Sequence, residues 1–230
     1  MNQDTQKLSR KERERLFKRQ EIVTAARIVF AARGFSAATL EEIAERAEFG
    51  KGTLYNYFQS KEELFQTVIA DAFDEFVEIA VLSCASPERS FKDSYTALAT
   101  QLLRHLFGNI GLYNLLMREM HRMDQNPHLA TLFPNLNLII QGPLKRAIDS
   151  GEIEPLPENQ VAFLYMTMIF SLFKSTIHMN CDNACVDGIL TLSLTEAEID
   201  AIIDRSLSII ERTFFNGVLP SSAPGRKKAH

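Results

Sequence analysis

Between Lys51 and Lys61 the chain sets Lys51, Gly52, Thr53, Tyr55, Asn56, Tyr57 and Lys61 within eleven residues. No nucleophile is paired with a base here, so the chemistry on offer is recognition rather than bond making. Lys51 and Lys61 are placed to meet phosphates on either side of a groove. The hydroxyls of Tyr55 and Tyr57 can bond phosphate, and their rings can rest on sugars. Asn56 can bond two edges of an adenine, and the Thr53 methyl can meet a thymine methyl. Gly52 sits early in a helix, where glycine costs ~1 kcal/mol against alanine. A side chain at that position would hold the backbone away from a nucleic acid. Double-stranded DNA is the partner these residue types suit.

The flanking sequence supplies the elements that position them. Thr39 suits a helix N-cap, and Glu42, three residues on, completes a capping box. Ile43, Ala44 and Ala47 then form one apolar stripe at helical spacing. Glu48-Phe49-Gly50 breaks that helix, and Lys51–Phe58 is expected to form a second, with Leu54 and Phe58 facing inward. An earlier helix carries Ile22, Ala25, Ala26, Val29 and Phe30 and stops at Gly34. Two short helices around a tight turn, the second with an exposed polar face, make a helix-turn-helix reading head. Ser60 caps a fourth helix, whose apolar residues from Leu64 to Ala80 would link this head to the rest of the chain.

The run Gly52-Thr53-Leu54-Tyr55-x-Tyr57-Phe58-x-Ser60-Lys61-Glu62-x-Leu64, with the helix before it, strongly resembles the DNA-binding domain of the tetracycline-repressor (TetR) family. The resemblance covers roughly Arg19 to Phe65. It implies that Thr39 touches phosphate at the start of the second helix and that Tyr57 is the most frequent phosphate contact in the run. The candidate DNA-binding set is therefore Thr39, Gly50, Lys51, Gly52, Thr53, Tyr55, Asn56, Tyr57 and Lys61. The chain departs from the family at the turn, where the usual pattern is Gly, a small aliphatic, then Ser or Thr. Here Glu48 stands where glycine would tolerate a left-handed backbone freely, and Gly50 brings no hydroxyl.

Over 230 residues the formal net charge is −4, which excludes a general polyanion binder, but the charge is unevenly spread. Residues 1–65 carry 12 Lys+Arg against 10 Asp+Glu, and the remainder 13 against 19. Positive charge gathers at the end that holds the reading head, as phosphate binding requires. Three cysteines do not make a disulfide framework, and the N-terminus is polar rather than a secretory signal. The apolar run Val161–Phe173 is interrupted by Thr167 and Ser171 and is shorter than the ~18–20 residues a membrane span needs. The expectation is a soluble cytoplasmic protein with no membrane partner. No paired carboxylates, Gly-rich phosphate loop or nucleophile–base pair stands out, so neither catalysis nor a cofactor is expected.

Almost no segment alternates with period two, so the fold class is all-α with no sheet. The expected organisation is a basic arm at 1–18, the helix-turn-helix domain at 19–65, a larger helical domain at 66–217 and a polar tail at 218–230. In the larger domain, helices are expected from Pro87 to about Phe107 and from Leu112 to Met123. Another starts at Pro127 and is interrupted at Gly142-Pro143. Glu158–Met179 follows, and a last helix is capped by Thr195 with Glu198. Val161–Phe173 is apolar on nearly every face, and the last helix has a stripe of Ile199, Ile202, Ile203, Leu207, Ile210 and Phe214. The economical way to bury both is a two-fold homodimer with a four-helix interface, the arrangement the resemblance also implies.

Tyr113, Met117, His121, Tyr165, Met166, Phe170 and Phe173 are candidates for an adaptable apolar pocket, where the family commonly holds a small-molecule effector. His178-x-x-Cys181-x-x-x-Cys185 does not match a zinc-knuckle spacing, so no metal site is assigned. The resulting reading is a one-component regulator, a repressor released from a palindromic operator by a small, largely apolar effector. Three alternatives stay open: a redox- or metal-responsive regulator using Cys181 and Cys185, a DNA-organising protein without effector, and a ligand-binding protein that has lost DNA binding.

Overall fold

The computed structural model describes residues 9–113, 127–179, 185–186, 189–190 and 194–216. The described residues are overwhelmingly helical. Contacts divide the chain into two compact units, one of Met1–Phe73, Asn109–Ala130 and Asn183–Leu192, the other of Asp74–Gly108, Thr131–Asp182 and Ser193–His230. The division falls inside a helix at Phe73 rather than at Phe65, because the first turns of that helix pack on the N-terminal core.

In the first unit, α1 spans Arg10–Ala37 and opens with a complete capping box between Ser9 and Glu12. The basic segment expected as an arm is therefore helical from Arg10 onward. Gly34 breaks the helical path at φ 74°, ψ 166°, a conformation in which a Cβ is strained and glycine is not. The kink brings Phe35 into a ring cluster, with centroids 6.0 Å from Phe30 and 4.8 Å from Phe65. Helices α2 (Leu40–Arg46), α3 (Lys51–Tyr55) and α4 (Lys61–Cys84) follow. Ile22, Ala26, Phe30, Ile43, Leu54, Phe58 and Leu64 are wholly buried and form this unit's core.

A two-residue antiparallel ladder pairs β1 (Cys185–Val186) with β2 (Ile189–Leu190). The fold class is all-α as expected; this ladder is the exception among the described residues, and two pairs are too few to leave a readable period in the sequence.

In the second unit, α5 spans Phe91–Gly108 and is capped by Ser90, whose Oγ accepts the Asp93 N–H at 3.0 Å. It starts four residues after Pro87, because Arg89 turns back to donate to the Leu82 and Ser83 carbonyls at the end of α4. Helix α6 spans Pro127–Asp149 and runs through Pro134 and Pro143, so Gly142-Pro143 does not interrupt it. Tyr95 supports it there by donating its hydroxyl to the Ile140 carbonyl at 3.0 Å. Helix α7 is Glu158–Met179, and α8 is Glu196–Ile210 with the Thr195–Glu198 capping box formed. One π-turn, Glu211–Phe215, continues α8 and carries Phe214 and Phe215 into a cluster with Phe91, Tyr95 and Tyr165.

Candidate nucleic-acid interface

Every local feature that orients the reading head has a visible cause. At α2 the Thr39 Oγ1 accepts the Glu42 N–H at 3.2 Å, and the Glu42 carboxylate accepts the Thr39 N–H at 3.1 Å. Two of the orphan donors of the helix start are thereby satisfied. In the turn, Glu48 adopts φ 59°, a left-handed backbone costing ~1–2 kcal/mol for a residue with a Cβ. Bonds from the Glu48 N–H to the Glu45 carbonyl and from the Phe49 N–H to the Ala44 carbonyl, 3.0 and 2.9 Å, hold it there. Gly50 caps α3 with no side-chain bond.

Helix α3 is shorter than expected. It ends at Tyr55, with Asn56 as its C-cap, so Asn56 and Tyr57 lie in the turn after it. Leu54 and Phe58, both wholly buried, anchor this segment from below. On the outer side Lys51, Gly52, Tyr55 and Asn56 are exposed, and Thr53 and Tyr57 are half-buried. A Cβ built on Gly52 would meet nothing within 4 Å, so that face is open. The Lys51 ammonium pairs with the Glu41 carboxylate, which raises the lysine's pKa and lowers the glutamate's. Both groups are about half exposed, so the pair is weak and exchangeable.

Lys61 has a different setting from the one its sequence position suggests. Its Nζ donates to the carbonyls of Ser36 at 3.2 Å and Ala38 at 3.0 Å, and lies 4.7 Å from the centre of the Phe35 ring. These groups fix the end of α1 and the approach to the Thr39 cap. Lys61→Ala is expected to cost about 1–2 kcal/mol of stability, as loss of charge-assisted bonds and a cation–π contact. Thermal denaturation of the variant checks this. Arg19 plays a parallel part that the sequence did not single out: its guanidinium lies 4.9 Å from the centre of the Phe58 ring and donates to Thr67 Oγ1 at 3.4 Å. The signal for it was only a cation seven residues before Ala26 on the buried side of α1.

Among the expected pocket residues, Tyr113 is buried in the first unit. Met117 and His121 lie outside the described residues. In the second unit Tyr165 is wholly buried and donates its hydroxyl to the Tyr95 carbonyl at 2.6 Å. Phe173 packs 5.1 Å from Phe107, and Phe170 lies 5.8 Å from Phe76. Met166 is half-buried. Tyr165 and Phe173 thus serve as core. Burial raises the Tyr165 hydroxyl pKa well above its ordinary value, so it stays a donor.

The residues of the expected dimer stripe differ in their surroundings. Ile199, Ile203 and Ile210 are buried within the chain at 4%, 3% and 0% exposure. Phe214 is half-buried in the aromatic cluster, and Ile202 and Leu207 are half-buried. Exposed apolar side chains of the second unit include Phe163 and Leu164 on α7, 66% and 62% exposed, and Ile209 on α8, along with Val81, Leu82, Leu138 and Met179. Helix α7 is long and apolar enough by composition to cross a membrane, a condition that the core helix of a soluble protein also meets. Cys181 and the side chain of Cys185 lie outside the described residues. Cys84 is buried, which pushes its thiol up to about 12.

The helix-turn-helix segment matches the family model described as bacterial regulatory proteins, tetR family, over residues 22–68. The HTH-type transcriptional regulator UidR of Escherichia coli (strain K12) is 30% identical over 141 residues, 60% of this chain and 69% of its own length. A relative from Bacillus subtilis (strain 168), named as the uncharacterized HTH-type transcriptional regulator YfiR, is 26% identical over 179 residues, 75% and 86% of the two chains. Among solved structures, the transcriptional regulator FadR from Bacillus subtilis in complex with stearoyl-CoA has a TM-score of 0.60 at 20% identity. The match covers 82% of this chain and 97% of that one, a likeness of fold.

Proposed function

Because this chain belongs to the tetR family of bacterial regulatory proteins, and so is a DNA-binding transcriptional regulator, we propose that it acts as a homodimeric repressor of a palindromic operator. The observation that carries the DNA-reading assignment is α3 itself: Leu54 and Phe58 pin it from below while Lys51, Gly52, Tyr55 and Asn56 are left open above. Lys51, Tyr55 and Tyr57 hold phosphates, Thr53 and Asn56 meet base edges, and open space at Gly52 lets the backbone approach. Thr39 and Gly50 border the same surface, and Lys61 supports it from behind. The regulator works in the cytoplasm, where its operator is.

Two copies pair through the exposed apolar surface of α7 and α8, which sets the two reading heads for two half-sites. A small, largely apolar effector binds among the helices of the larger domain. The FadR structure with stearoyl-CoA supports that chemical class. The effector favours a state whose heads are wrongly spaced, and the continuous helix α4 is the element that carries the shift.

The test is operator selection followed by substitution. Asn56→Ala is expected to relax preference at one position per half-site by about 1–3 kcal/mol. Tyr57→Phe is expected to weaken all sequences alike by about 0.5–1.5 kcal/mol. Competition binding against single-base operator variants distinguishes the two. An Asn56→Ala protein with an unchanged base profile removes Asn56 from readout.

A further inference from the structure

The reading head is poor in positive charge that is free to meet DNA. From Thr39 to Lys61 the chain holds Glu41, Glu42, Glu45 and Glu48 against Arg46, Lys51 and Lys61. The Lys61 ammonium is bound to the Ser36 and Ala38 carbonyls. Arg46 closes α2 and lines a groove between α2 and α1. Lys51 is the sole formal charge from the start of α3 to Ser60. Whatever controls Lys51 therefore controls the charge of the reading helix.

Glu41 is the group that does so. It stands in the first turn of α2 beside Glu42, and the two carboxylates go to different partners. Glu42 accepts the Thr39 N–H and lies 3.6 Å from Arg33, so its charge serves the helix start. Glu41 takes no part in the capping box and is exposed. It reaches across to α3 and accepts from the Lys51 ammonium. That ammonium lies 6.0 Å from the centre of the Tyr55 ring, so the pair borders the exposed side chain of a second phosphate candidate. An ammonium has three donors, and could touch a carboxylate and a phosphate together. That would set two like charges side by side, which is repulsive. Glu41 and a DNA phosphate are thus alternative acceptors for one lysine.

We infer that Glu41 is a built-in competitor of DNA phosphate for Lys51, neutralising the reading helix in the free protein and giving up the ammonium when DNA binds. The sequence-independent part of DNA affinity comes from cations that displace counterions from phosphates. A lysine already matched by a carboxylate brings no net charge to that exchange and adds little to it. Glu41 therefore lowers affinity for all DNA alike, and leaves the choice of sequence to the base contacts of Thr53 and Asn56. This inference rests on the DNA-reading assignment above, and concerns a residue on α2 that the assignment does not include.

The experiment measures affinity of the full chain across a salt series, for a selected operator and for a random-sequence duplex. The proteins are wild type, Glu41→Gln, Lys51→Gln and the double variant, with Glu45→Gln as a charge-matched control one turn along α2. All three positions are exposed, and glutamine keeps helix propensity, so the fold is retained; circular dichroism verifies it. Glu41→Gln is expected to tighten binding to both duplexes by about two- to fivefold, the range an exposed ion pair supports. It should steepen the slope of log K against log salt by up to about 0.9, one cation's share. In the Lys51→Gln background the same change should have little effect, and Glu45→Gln should have less effect than Glu41→Gln. Equal tightening by Glu41→Gln with and without Lys51, or by Glu45→Gln, overturns the inference, since either reports general repulsion of DNA. Unchanged or weaker binding by Glu41→Gln, with Lys51→Gln still weakening it, overturns the inference alone and leaves the DNA-reading assignment intact. A Lys51→Gln protein with wild-type affinity and slope removes Lys51 from phosphate contact, and fails that part of the assignment together with the inference.

Discussion

Phe163→Glu combined with Leu164→Glu is expected to give a folded monomer whose operator affinity falls by about 10²–10⁴-fold, the loss of linked binding to two half-sites. Both side chains are more than 60% exposed within one chain, so charging them costs little intramolecular packing. In a two-fold interface each substitution acts twice and leaves carboxylates facing apolar surface or one another. Ile203→Asp, which the sequence pattern alone would recommend, is a poorer probe. Ile203 is 3% exposed inside its own chain, so a carboxylate there destabilises the fold before any interface is tested. Sedimentation at micromolar concentration reads the assembly state, and an unaltered dimer from the double variant would move the interface off α7.

Phe65→Ala is expected to cost about 3–5 kcal/mol, the usual range for emptying a buried aromatic site. Phe65 is 1% exposed and stands 5.1 Å from Phe30 edge-on and 4.8 Å from Phe35. The cavity would open beneath the kink at Gly34 and the carbonyls that Lys61 holds, so the reading head should melt early and DNA binding should fall with it. Tyr55→Ala is the contrasting variant. Tyr55 is 47% exposed, and its loss should weaken DNA binding with little change in melting temperature. Paired thermal denaturation and binding curves compare the two. Similar melting temperatures would show that the ring cluster contributes far less than its burial implies.

The parts of the molecule legible in the sequence are those governed by residues close together along it. Three capping boxes depend on an interval of three residues, and those at Thr39 and Thr195 are readable for that reason. Gly34 ends the regular path of α1 because only glycine takes φ 74° without strain. Pro157 marks the start of α7, since proline is accepted where a helix begins. Ser9 and Glu12 carry the same capping signal, but the dense charge of the segment around them resembles that of an unstructured arm and masks it.

What the tertiary structure decided involves partners far apart in the chain. A stripe of Ile199, Ile203 and Ile210 states that one face of α8 is covered but not by what, and the cover proves to be within the chain. Tyr165 has the composition of a pocket residue until the Tyr95 carbonyl, 70 residues away, takes its proton donor. The Lys61 ammonium meets the carbonyls of Ser36 and Ala38, more than 20 residues earlier, and its own sequence neighbourhood does not announce those partners. Local backbone preference and hydrogen bonds over three or four residues are set by sequence alone. The identity of the group that meets a side chain across the core is set by how helices pack, and one chain's periodicity carries no record of it.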